Sequence, residues 1–84
     1  SAVEQRLAAC GQVIGPVAST YRWEGKVERA EEWLCLLKTT RARFPELQRH
    51  ILRTHSYRVP EIIATAITAG AIDYLDWIRA ETAS

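Results

Sequence analysis

Four apolar or aromatic residues between Gln12 and Glu24 share one strand parity, which is the spacing of a β-strand with one covered face. The residues that set this pattern are Val13, Val17, Tyr21 and Trp23. Gly15-Pro16 interrupts it, which indicates a bulge or an edge position. Gly25 then stands where a tight turn would reverse the chain, so the pattern predicts a β-hairpin.

The return strand is predicted from Lys26 to about Thr39, and its two halves differ in polarity. The first half is charged, whereas Trp33 to Leu37 is apolar at every position. About thirteen residues at ~3.3 Å each span roughly 43 Å. A chain of 84 residues is expected to have a radius of gyration of ~12 Å and a diameter of about 30 Å. We therefore expect the hairpin to extend beyond its own core and to be completed at Tyr21 and Trp23 by another subunit.

The remaining elements follow from helical spacing, caps and β-branched runs. Ser1 to Ala9 has apolar residues at helical spacing before Gly11 and predicts a helix. Pro45 opens a second helix that ends near His55, with Phe44, Leu47, Ile51 and His55 on one face. The run from Glu61 to Ala69 predicts a strand, and Asp73 is placed to cap a last helix. The predicted order α-β-β-α-β-α is that of a single α+β domain over residues 1–84.

Composition narrows the classes of function. A hydrophobic fraction of 48% with 25% charged residues is typical of a globular chain. The net charge of +1 is too small to indicate binding to nucleic acid or to an anionic membrane. No apolar run has the ~18 residues of a membrane helix, and no signal-peptide pattern is present, so we expect a cytoplasmic protein. Cys10 and Cys35 fit a reducing compartment, and Cys35 is expected to be a small buried hydrophobe.

Several short sequences resemble the CutA divalent-cation tolerance family in order and spacing. They are "RLAAC" (Arg6 to Cys10), "YRWEGKV" (Tyr21 to Val27), "LLKTT" (Leu36 to Thr40), "VPEI" (Val59 to Ile62) and "DYLDW" (Asp73 to Trp77). The resemblance implies a ferredoxin-like antiparallel sheet with helices on one face, assembled as a tight homotrimer. It also implies a role in divalent-cation, copper-class binding or tolerance.

The family begins with a β-strand and the front half of a helix that this sequence lacks. In a ferredoxin-like sheet that strand lies in the interior, and its loss would leave buried backbone groups unpaired, at ~1–3 kcal/mol for each group. We therefore expect that these 84 residues are part of a longer molecule, or that another chain supplies the strand.

The segment "RTHSYRVPE", Arg53 to Glu61, contains the candidate metal ligand His55. Histidine and thiolate suit copper and zinc, and the resemblance implies copper binding by a first-strand cysteine and histidines near this position. Only His55 matches that pattern. Thr54 stands where a second histidine can occur, and Cys10 is a weak substitute for the cysteine. The alternative for His55 is a structural histidine on an apolar helix face.

The resemblance places a second group of polar residues near the cleft between subunits: Lys38, Tyr57, Glu61 and Tyr74. They would provide either hydrogen bonds across the interface or a pocket for an anion or small ligand. Trp23 and Trp33 are expected to be packing anchors at the subunit contact rather than a ligand site. His50 falls off the apolar face of its helix and is expected to be exposed.

Nucleic-acid binding and catalysis are two other classes of function that the sequence can be tested for. From Lys38 to Arg58 there are six Lys or Arg residues and a single acid, Glu46, a charge pattern that can hold phosphate backbones. No aromatic RNA-binding strand motif accompanies it, so nucleic-acid binding is not expected. The sequence has no glycine-rich phosphate loop or nucleophile elbow, and catalysis is not expected either. The alternative to metal binding is a trimeric scaffold or signalling protein without a physiological metal.

Overall fold

The computed structural model describes residues 1–54 and 60–83 of the chain, and it has two strands followed by two helices. Strand β1 is Cys10–Trp23 and strand β2 is Lys26–Lys38. Helix α1 is Phe44–Thr54 and helix α2 is Ile72–Glu81. The predicted hairpin and the helix expected from Pro45 are therefore confirmed to within a residue or two. No helix in the described ranges has the length and apolar character needed to cross a bilayer.

The hairpin is antiparallel, and its register runs from Cys10 opposite Lys38 to Trp23 opposite Lys26. The register shifts between Ile14 and Val17, where the Gly15-Pro16 peptide bond is cis. This confirms the predicted bulge. Gly15 is required by close packing as well, since an added Cβ would lie 2.7 Å from Cε3 of Trp33.

The turn of the hairpin uses left-handed backbone at both of its central residues. Glu24 has φ 50° and Gly25 has φ 80°. Positive φ at both positions gives the turn a twist that matches the right-handed twist of the strands it joins. The predicted reversal at Gly25 is confirmed.

The hairpin makes the molecule longer than its residue number predicts for a compact chain. The principal extents are 45 × 26 × 19 Å, and the radius of gyration is 14.9 Å, against the ~12 Å of a compact domain. Large apolar side chains along the hairpin are exposed, with Val13 at 68% and Trp33 at 63%. The predicted extension of the hairpin beyond the core is thus present.

The core is small and lies where the start of the chain, α1 and α2 meet. Its buried apolar residues are Leu7, Ala8, Ala9, Leu47 and Ile78. Hydrogen bonds tie this core to the base of the hairpin. The Ala9 N–H donates to the Lys38 carbonyl over 2.7 Å, and the Thr39 hydroxyl donates to the Leu7 carbonyl over 2.7 Å.

The prediction of a helix from Ser1 to Ala9 is wrong. The chain there forms turns, and Arg6 has φ 61°, which a right-handed helix does not allow. The Leu7 N–H donates to the Ala2 carbonyl rather than to the carbonyl four residues before it. The apolar spacing reflects burial of Leu7 and its neighbours without a regular helix.

The prediction of a strand from Glu61 to Ala69 is also wrong, because residues 60–71 have no assigned strand. In the described part of the chain, β1 and β2 pair only with each other. A β-branched run becomes a strand only when a neighbour accepts its backbone hydrogen bonds. Without one, Ile63 and Ile67 are 76% and 53% exposed.

Three smaller expectations also need correction. Asp73 does not cap α2, since Ala71 is the N-cap, without a side-chain hydrogen bond, and Asp73 lies in the first turn. There its carboxylate still interacts favourably with the helix dipole. His50 is half-buried rather than exposed. Cys35 is exposed, because its strand is covered on neither side at that point.

Candidate functional site

The base of the hairpin brings together polar side chains from both strands. Cys10, the first residue of β1, pairs with Lys38, the last residue of β2. Gln12 lies on the same face as Cys10, since strand side chains alternate. The Lys38 ammonium donates to Oε1 of Gln12 over 2.6 Å. The hairpin thus fixes a thiol, an amide and an ammonium group side by side.

Helix α2 adds an aromatic hydroxyl to this group from its first turn. The hydroxyl of Tyr74 lies 3.8 Å from Sγ of Cys10, within hydrogen-bond range for sulfur. The Tyr74 ring packs against Trp77, with centroids 5.6 Å apart and planes inclined by 31°. We refer to Cys10, Gln12, Lys38 and Tyr74 as the cleft cluster.

The electrostatics of the cleft cluster favour a neutral phenol at Tyr74. The hydrogen bond to Cys10 raises the pKa of Tyr74 above its ordinary 10.0, and desolvation and the negative charge of the Cys10 thiolate act in the same direction. The folded chain therefore favours the protonated phenol over the phenolate.

The structure brings only part of the predicted polar group together. Lys38 and Tyr74 both lie beside Cys10. Glu61 is exposed, and the contacts within residues 1–54 and 60–83 do not join it to the cleft cluster. Tyr57 falls outside the described residues, as does the candidate metal ligand His55. Sequence reasoning missed Gln12, although its position two residues after Cys10 on one strand face could have indicated it.

The donor set of the cleft cluster does not form a metal centre by itself. Cys10 is its only soft ligand, and an ammonium group cannot coordinate a metal. Within the part of the chain that the structure describes, no group of three or more His, Cys, Asp or Glu residues could hold a metal ion. Further ligands would have to come from other segments or from another copy of the chain.

The aromatic residues of the hairpin lie on both of its faces. Tyr21 and Trp23 share one face, with 39% and 36% of their surface exposed. Trp33 lies on the opposite face, over Gly15, and is 63% exposed. Both faces of the ribbon therefore offer aromatic surface to a neighbour.

Comparison with known proteins identifies the family. A family model described as "CutA1 divalent ion tolerance protein" matches residues 1–81, nearly the whole chain. The chain belongs to the CutA1 family. This confirms the family resemblance drawn from the five short sequences.

Known CutA proteins are similar along the length of the chain. The divalent-cation tolerance protein CutA of Thermus thermophilus is 46% identical over 80 residues, covering 95% of this chain and 78% of that protein. The chloroplastic protein CutA of Arabidopsis thaliana is 40% identical over 82 residues. This match covers 98% of the chain but only 45% of the Arabidopsis protein, so the chain spans less than half of that relative.

A solved CutA structure has the same fold. The divalent cation tolerance protein Cut A1 from Thermus thermophilus superposes with a TM-score of 0.95 at 45% identity, covering 98% of this chain and 80% of that one. The α+β fold class expected from the resemblance is confirmed. Because the Arabidopsis CutA is described as chloroplastic, location varies within the family, and the cytoplasmic location stays a prediction for this chain.

Proposed function

We propose that this CutA1-family chain acts in divalent-cation tolerance as a non-catalytic homotrimer that binds copper-class ions with ligands from more than one segment. The observation that carries the proposal is the hairpin, which gives the molecule a 45 Å axis and exposes aromatic residues on both faces. A two-stranded ribbon is only marginally stable alone, so it needs a partner.

Assembly through the hairpin is supported by the distribution of apolar surface. The half of β2 nearest its base is apolar, and Trp33, Leu34 and Leu36 are 63%, 47% and 40% exposed. Trp33 lies on one face of the ribbon and Leu34 and Leu36 on the other, so exposed apolar surface on both faces supports an interaction site on each. In a trimer with closed cyclic symmetry, a second and a third copy of the hairpin would supply the surfaces that pack against this one.

Metal binding is supported by family membership and by the position of one soft ligand. The Cys10 thiol is half-buried at the base of the hairpin and has no disulfide partner. Thiolate and imidazole together select copper and zinc over hard cations. His55 follows directly after α1 and is the proposed second ligand.

Native mass spectrometry during titration with copper(I) and copper(II) tests assembly and metal binding together. We expect a trimer that takes up copper in a fixed ratio. The variants Cys10→Ser and His55→Ala should each lower that ratio, whereas Cys35→Ser should not. Cys35 is the matched thiol control because it is exposed on the hairpin and lies outside the cleft cluster. Copper uptake that survives both ligand variants, or that depends equally on Cys35, would refute the assigned ligands.

A second candidate function is a trimeric scaffold or signalling protein that uses no metal. It is favoured by the lack of any group of three metal-ligating side chains in residues 1–54 and 60–83. In the same titration, a trimer that binds no copper would favour this function over metal binding.

A further inference from the structure

A shallow cavity lies away from the cleft cluster, at the junction of the loop after β2, the start of α1 and the end of α2. Its volume is about 380 Å³, and it is lined by Thr40, Ala42, Arg43, Glu46, Arg79, Thr82 and Ala83. It contains neither thiol nor imidazole, so it is chemically distinct from the proposed metal ligands. Its lining has two guanidinium groups and a single carboxylate, which leaves it net positive.

Arg43 is held rigidly at one wall of the cavity. Its side chain is only 16% exposed. Nε donates to the Thr82 carbonyl over 2.7 Å, and Nη1 donates to Oε1 of Glu46 over 3.1 Å. No described residue accepts a hydrogen bond from Nη2, so this end of the guanidinium remains available. Because the guanidinium is already fixed before a ligand binds, the entropic cost of forming a contact with that ligand is lower.

Two further donors line the same cavity. The Thr40 hydroxyl accepts a hydrogen bond from the Arg43 N–H over 3.3 Å. Within the described ranges its own proton has no acceptor. Arg79 forms an ion pair with Asp76 at 2.9 Å, but the two side chains are 61% and 64% exposed. An exposed ion pair of this kind contributes little and exchanges readily for a stronger anion.

We propose that this cavity binds a single phosphate group, free or as a small monoester, between Arg43, Arg79 and the hydroxyl of Thr40. The N–H groups of a guanidinium donate paired hydrogen bonds to phosphate oxygens. A hydroxyl can donate a further hydrogen bond to the same phosphate from another side. The cavity is larger than a phosphate ion, which leaves room for the organic part of an ester. This site is independent of metal binding, so either proposal can fail without the other.

Titration of the full chain with inorganic phosphate, followed by ¹H–¹⁵N NMR, tests the site. Sodium chloride at equal ionic strength is the control for screening. We expect saturable shifts confined to residues 40–46 and 79–83. Glycerol phosphate is the second probe, and tighter binding than inorganic phosphate would identify an ester as the ligand. Shifts that do not saturate, or that chloride reproduces, would overturn the proposal.

Two variants should change phosphate affinity in opposite directions. Arg79→Ala should weaken binding about tenfold, as expected for the loss of one hydrogen bond between charged groups. Asp76→Asn should strengthen binding, because it frees Arg79 from its present partner. Arg53→Ala is the matched control, since it removes the same charge from an exposed position in the last turn of α1. Equal weakening by Arg79→Ala and Arg53→Ala would show only general charge attraction and would refute the site.

Discussion

Tyr74, in the first turn of α2, contacts the start of the hairpin. Its hydroxyl lies 3.8 Å from the Cys10 sulfur, although the two residues are 64 positions apart in the chain. The hydrogen bond to Cys10 favours the protonated phenol, and a negative charge at the sulfur would oppose ionisation of Tyr74 further, so the pKa of Tyr74 is raised.

We predict that Tyr74 titrates above its ordinary 10.0 and that Cys10→Ala lowers its pKa towards that value. ¹³C NMR of labelled tyrosine measures this pKa, and Tyr21, eleven positions along β1 from Cys10, serves as the internal control. An unchanged Tyr74 pKa in Cys10→Ala would contradict the contact.

The same shift predicts a direction for stability against pH. An acid whose pKa is raised by folding contributes fully to stability below its unfolded-state pKa, and that contribution is lost as pH rises through the folded-state pKa. The wild-type chain should therefore lose stability above about pH 10. Cys10→Ala should lose less over the same range, as measured by urea unfolding at each pH.

Arg43 joins α1 to the end of α2 by a bond to a carbonyl of the C-cap residue Thr82. Thr82 is 2% exposed, so water cannot easily replace the lost donor. We expect Arg43→Ala to lower the free energy of unfolding by about 1–3 kcal/mol. The exposed Arg49, on α1, is the control, and Arg49→Ala should change the free energy of unfolding by less than about 0.5 kcal/mol. Urea denaturation measures both, and equal effects would show that the bond to Thr82 does not matter.

At the scale of elements, the turn of the hairpin depends on left-handed backbone at Gly25. An added Cβ there meets no atom within 4 Å, so a substitution costs backbone strain alone. Gly25→Ala should lower the free energy of unfolding by about 1 kcal/mol. Gly25→Asn should cost less, because asparagine tolerates positive φ. Thermal unfolding of the two variants separates these effects, and a larger loss for asparagine would contradict the strain argument.

The elements that the sequence predicted correctly are those determined by neighbours in the chain. The bulge at Gly15-Pro16, the turn at Gly25 and the helix after Pro45 all depend on local backbone preferences. The run from Glu61 to Ala69 has strand composition, but a strand also needs a partner at its edge. The start of the chain has helical spacing, yet Arg6 has φ 61° and Leu7 is buried without a regular helix.

The sequence indicated some of the residues that the structure brings together in the cleft cluster, but not their contacts. Lys38 and Tyr74 were expected to lie near each other, and both lie beside Cys10. The contact between Cys10 and Tyr74 could not be predicted from the spacing of residues in the sequence, because it depends on how α2 docks on the hairpin. Cys35 was expected to be buried because its neighbours are apolar. In the single chain, however, that apolar run faces solvent.

At the scale of the whole molecule, the hairpin and the small core differ in how much of their apolar surface is buried. Within residues 1–54 and 60–83 the core buries only a handful of apolar side chains, whereas the hairpin exposes large ones along a 45 Å axis. In the proposed trimer, the surface left exposed in one copy would be buried between copies, and we expect association to supply much of the stability.

We therefore predict that Trp23→Ala weakens assembly more than His55→Ala does. Trp23 ends β1 at the tip of the hairpin and is 36% exposed, so in a trimer it would bury its ring against a neighbour. Truncation of a buried interface tryptophan costs at least about 2 kcal/mol, which should raise the dissociation constant roughly thirtyfold or more. Sedimentation velocity over a dilution series measures the loss.

Glu31→Ala is the matched hairpin control, because it removes an exposed charge from the middle of β2 without removing an aromatic ring. It should leave the dissociation constant close to that of the wild type. Copper added to the Trp23→Ala variant distinguishes packing from metal as the source of association. If metal ligands held the subunits together, copper would restore the trimer despite the lost tryptophan. We expect it not to, because the aromatic surface of the hairpin, and not the metal, supplies the area that association must bury.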